Sequence, residues 1–144
     1  MAGVNMRLMS KTSLDYSTLG AGGQQMMMVN TAINVTNYKE GTLLLRLHGA
    51  PTIGGNAAIK LALVRTAPTE EDPGILFYSV DPMLVAMTID AATTLPTGAA
   101  GMLLAASLPS NFGGYVALAV TGIQDPVGLQ TIKATISIDL NLKE

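Results

Sequence analysis

Cysteine and tryptophan are missing from this chain, histidine occurs once, and charge is scarce. Without cysteine there is no disulfide, no thiolate metal site and no cysteine nucleophile, and the redox compartment cannot be read. His48 alone cannot assemble the usual zinc ligand sets. The lack of Trp leaves few aromatic platforms for a sugar-binding module, although Tyr78 or Tyr115 could still stack on a glycan. No run of Lys and Arg offers an electrostatic footprint for nucleic acid. No apolar run reaches the length of a membrane-spanning helix, and residues 1–11 lack the long apolar core of a signal peptide. The expected partners are therefore neither nucleic acid nor membrane.

Scarcity of charge is itself informative. Asp, Glu, Lys and Arg make up 12% of the 144 residues, against roughly 25% in an average soluble domain. Surfaces of monomers are normally rich in interspersed charge. The simplest reconciliation is that other protein covers part of this surface; the alternative is a compact monomer coated in Thr, Ser, Asn and Gly. The length suits one domain with a sizeable core.

What is present is strand text. Ile132, Ala134, Ile136, Ile138, Leu140 and Leu142 alternate with Thr131, Lys133, Thr135, Ser137, Asp139 and Asn141. Unbroken period two over that length predicts a half-buried antiparallel strand. Looser alternation predicts strands near 26–36, 42–48, 57–66, 75–80, 83–90 and 115–121, separated by Gly, Pro, Asn and Asp turns. Residues 98–107 could be a strand or a short helix. This spacing predicts an all-β, antiparallel β-sandwich of jelly-roll or Greek-key type with about eight strands. Residues 1–25 lack sustained periodicity and end in a Gly20-Ala21-Gly22-Gly23 hinge. They read as an extended N-terminal arm before a sandwich domain of residues 26–144, the alternative being an ordinary first strand near 12–19.

Catalytic signatures are hard to find. A Ser-His-Asp triad would have to use His48 with Asp81 or Asp90, and no Gly-x-Ser-x-Gly elbow exposes a serine. Glu70, Glu71 and Asp72 lack the spacing of a calcium loop and read as a solvated turn. The glycine-rich hinge has no Lys-Ser/Thr after it and is no phosphate cradle. No cofactor and no enzymatic role are expected.

Several strands are apolar on both sides. Met26, Met27 and Met28 form a run, and alternation sends a run of three to both faces. Methionine suits core gaps and adaptable contact surfaces equally. Leu44 interrupts a polar face; Val64 stands beside Ala62; and Val116, Leu118 and Val120 alternate with Ala117 and Ala119. Strands apolar on both faces are usually covered on both. Leu14, Tyr16, Met26, Met27, Met28 and Leu44 are the expected assembly contacts.

Four stretches carry a family likeness: Leu43–Ala50, Ala67–Pro73, Gly113–Leu118 and Ala134–Leu140. With these strand and turn texts the chain resembles the small β-sandwich virion proteins of tailed bacteriophages, the capsid or head-decoration class, over roughly residues 26–144. The resemblance implies a virion protein made in the host cytoplasm, coating or cementing a shell. It further implies a trimer or lattice of copies, contact with a capsid protein, and an arm reaching a neighbour. The rivals are a receptor- or glycan-binding module of a larger extracellular or phage-tail assembly, and a hydrolase of sandwich fold.

Overall fold

The computed structural model describes residues 3–29, 32–68, 76–79, 83–110 and 112–144. Every regular element among them is a strand. In chain order these are β1 (Gly3–Asp15), β2 (Gln24–Met28), β3 (Ile33–Asn34), β4 (Glu40–Leu47), β5 (Thr52–Ile53) and β6 (Ala58–Pro68). β7 (Leu76–Ser79), β8 (Val85–Asp90), β9 (Met102–Ser107), β10 (Tyr115–Ile123) and β11 (Ile132–Lys143) complete the series.

Two antiparallel sheets result. The first runs β1-β11-β4-β9 with β5 also on β11; the second runs β2-β10-β6-β7, with β3 also on β10 and β8 on β6. Three neighbours are interrupted strands lying end to end. β2 and β3 share one side of β10, β4 and β5 one side of β11, and β8 and β7 one side of β6. Merging each pair leaves eight strand positions, ordered 1-8-3-6 in one sheet and 2-7-4-5 in the other. That is the order of a jelly-roll sandwich. The expected count of about eight thus holds for positions, while interruptions raise the number of strands among the described residues to eleven.

The core lies between the sheets. All six apolar residues of the β11 alternation are buried, as are Leu43, Leu45 and Leu47 of β4, and Ile59, Leu61 and Leu63 of β6 with Val116, Leu118 and Val120 of β10 face them. Within residues 98–107, Met102–Ser107 form a strand, with Leu103 and Ala105 outward and Met102 and Leu104 packed on the core. The strand expected over 26–36 is split, its two parts pairing with opposite ends of β10. β5 had no sequence signal.

The N-terminal residues are not an arm. β1 pairs with β11 from Gly3↔Lys143 to Asp15↔Lys133, and Leu8, Met9, Leu14 and Tyr16 are buried in the common core. The first 25 residues therefore do not separate from the sandwich. Two register shifts, between Arg7 and Met9 and between Met9 and Thr12, each insert one extra residue in β1. A bulge of this kind reverses the alternation, so Leu8 and Met9 are both inward and period two vanishes from the text.

Tyr16 then carries the chain from one sheet towards the other. Its N–H donates to the Ile132 carbonyl at 2.9 Å, and the Ser17 hydroxyl accepts from the Ile132 N–H at 2.9 Å. The Tyr16 ring lies against Gly122, where even a methyl group would overlap it. Glycine in β10 is therefore required for close approach.

Candidate assembly surface

The expected contact residues divide into three groups. Leu14 and Tyr16 are buried in the chain's own core, each 8% exposed, and offer a neighbour almost nothing. Their assignment to assembly followed from the arm and falls with it. Leu44 is half-buried on the outer face of the first sheet, in a row with Asp139 and Ala105. Met26, Met27 and Met28 form the end of β2, at the margin of the second sheet.

Only Met26 and Met27 are fully surface residues, each 46% exposed on opposite faces of the strand. Among the described residues β2 has a paired neighbour on one side alone, β10. The edge reads Gln24-Gln25-Met26-Met27-Met28. It has none of the Lys, Pro or bulges that natural proteins use to blunt an exposed edge. β1, one edge of the other sheet, has two bulges and Lys11, while β9, its opposite edge, is regular and uncharged like β2.

The β10–β11 turn carries two further exposed apolar residues. Val127 is 88% exposed and Leu129 71%. The turn is tied to the residues before β2: the Gly22 N–H donates to the Asp125 carbonyl at 3.0 Å, and the Gln124 N–H to the Gly23 carbonyl at 2.9 Å. Beneath it, buried Asp125 accepts from the Asn56 and Val127 N–H groups, which hold its carboxyl below the usual carboxylate range. Buried Gln124 accepts from the Asp125 and Gln130 N–H groups and donates to the Leu19 and Gln130 carbonyls. A rigid base thus presents two apolar side chains to solvent. Sequence reading saw only a Gly-Pro turn here; Val127 and Leu129 inside turn chemistry were the available signal.

Other apolar groups expected to need an outside cover do not. Ala62, Val64, Ala117 and Ala119 are at most 2% exposed within one copy. They sit on β6 and β10, which have strands on both sides. The exterior is nonetheless far from uniformly polar, since Leu103, Phe77, Tyr78 and Tyr115 are also exposed.

The groups considered for chemistry have structural partners. His48 Nε2 lies 2.8 Å from Ser137 Oγ, but Ser137 is 1% exposed. Asp139, on the same outer face, is held by Arg7 and Arg46. Burial alone would raise its carboxyl, but the hydrogen bonds and charges of the two arginines outweigh that and hold it below the ordinary range. Asp90 caps a turn, accepting from the Ala92 N–H at 3.0 Å. Asp81 and the Glu70, Glu71 and Asp72 turn lie outside the described residues. Among the described residues no group of three metal-ligating side chains converges, and no helix is long and apolar enough to cross a membrane.

Compared with known proteins, the chain matches no family model. No curated protein matches its sequence.

Proposed function

We propose that this protein is a non-enzymatic structural subunit of a virion, a capsid or head-decoration protein that packs against copies of itself and a shell surface. The single observation that supports this most is the uncharged β2 edge, whose Met26 and Met27 are exposed on both faces. An unpaired edge with apolar side chains above and below is a template for strand pairing and burial at once. Methionine tolerates the small mismatches of quasi-equivalent contacts. Weak single contacts become firm when many copies act together. The jelly-roll order fits this role, since shell and lectin domains both use it, but fold alone does not assign function.

Light scattering and native mass spectrometry across a concentration series test the proposal. The wild-type chain is expected to form a closed oligomer or lattice. Met26→Lys with Met27→Lys restores the charge that protects edges and is expected to give monomers that still unfold cooperatively, because exposed substitutions are nearly neutral for the fold of a single copy. A wild-type chain that stays monomeric up to millimolar concentration overturns self-assembly through this edge.

A further inference from the structure

At the far end of β10 from Met26, the second sheet carries a feature that edge assembly leaves unused. β6 runs beyond β8, and its last residues are flanked by β7 and by the start of β10. Register places Tyr115, Thr66 and Tyr78 in one row across the three strands, so their side chains share a face. The two tyrosines are 40% and 37% exposed, while Thr66 between them is 6% exposed. Its Oγ1 is buried without a hydrogen-bond partner, the one such side-chain atom among the described residues. Native structures rarely leave a buried hydroxyl unpaired, and one that is unpaired calls for a cause.

These three residues, with Arg65, Phe77 and the Gly113-Gly114 turn, line a cavity of about 700 Å³. That falls in the range of small-molecule sites, which combine apolar and aromatic walls with a few placed polar groups. Gly114 has φ +98°, and a side chain added at either glycine would meet nothing within 4 Å, so this turn leaves the mouth clear. The ligand chemistry follows from the lining. Aromatic faces suit a ligand with an apolar face of its own. Arg65 is the one cation of the lining and has an interaction of its own; the unpaired group is a neutral hydroxyl, donor and acceptor together, and so fits another hydroxyl better than a phosphate or carboxylate. A purely apolar ligand would leave Oγ1 as orphaned as before.

We infer that this cavity binds a neutral saccharide, with Tyr78 and Tyr115 against the sugar ring and Thr66 Oγ1 hydrogen-bonded to one of its hydroxyls. Oγ1 is buried as the cavity stands, so binding includes a local rearrangement that bares it. The inference does not depend on the β2 edge and survives its failure.

The test is an array of neutral oligosaccharides probed with the full chain, followed by calorimetric titration of the best binder. Wild-type protein binds at least one neutral glycan. Thr66→Val weakens that binding tenfold or more without lowering the thermal midpoint, whereas Thr66→Ser, which keeps the hydroxyl, retains it. Tyr115→Ala and Tyr78→Ala each weaken it at least tenfold, and the lysine pair at 26 and 27 leaves it unchanged. The inference is overturned if no neutral glycan binds, if only anionic glycans bind, or if the valine variant binds as tightly as wild type.

Discussion

Asp139 sits on the outward-facing, polar side of the β11 alternation, yet it is 1% exposed. Arg7 from β1 and Arg46 from β4 close over it from both flanks, so one carboxylate joins three adjacent strands. Both arginines stay half in water, which keeps the cost of burial modest compared with a fully enclosed pair. Asp139→Asn removes the charge and is expected to cost about 1–3 kcal/mol in urea unfolding, the range for hydrogen bonds to charged groups. The pH dependence has a definite sign. A carboxyl held below its unfolded value stabilises the fold above that value, about pH 4, and the contribution is lost as pH falls through the lowered folded value. Acid titration of the thermal midpoint should therefore show a steeper decline for wild type than for Asp139→Asn. Equal slopes would mean that Asp139 ionises alike in both states. Gly122 makes a second residue-scale case. Gly122→Ala pushes a methyl into the Tyr16 ring and should cost about 1–3 kcal/mol, as overpacking does; an unchanged unfolding midpoint would show that the ring has room to yield.

Among the strands, β1 and β2 are the informative pair, because each is an edge and they are managed oppositely. β1 is long, twice bulged and charged at Lys11; β2 is short, regular and uncharged. β9, the opposite edge of the first sheet, is uncharged and regular like β2. β1 itself gives the element-scale prediction. Removing residues 1–15 strips Leu8, Met9 and Leu14 from the core and bares one side of β11. The shortened chain should lose cooperative unfolding or aggregate, by differential scanning calorimetry and light scattering. A free arm would come off without consequence, so an unchanged melting transition would restore that view.

For the whole molecule, topology governs cooperativity. The first strand pairs with the last, and β4 sits on the other side of β11. Pairings so distant along the chain must form late, because loop-closure entropy is lost before the contacts return it. Refolding by stopped-flow fluorescence of the tyrosines should fall in the slow, millisecond-to-second regime of non-local β-folds. Low charge and an exposed apolar corner also favour association during that interval. Lysines at 26 and 27 should therefore raise refolding yield as well as dissolve assemblies.

The all-β class and the buried face of β11 were legible in the sequence, because strand geometry fixes side-chain direction at every second residue and the core selects apolar groups there. So were most strand positions, because Gly, Pro, Asn and Asp turn the chain by local dihedral preference. β1 was hidden, since two bulges moved its apolar residues out of phase and only pairing with β11 makes sense of them. Tertiary structure alone decided which outward groups are covered. Exposure of Met26, Val127 and Leu129, burial of Val64 and Ala117, and the row joining Tyr115, Thr66 and Tyr78 all depend on which strands lie side by side. No local pattern encodes that.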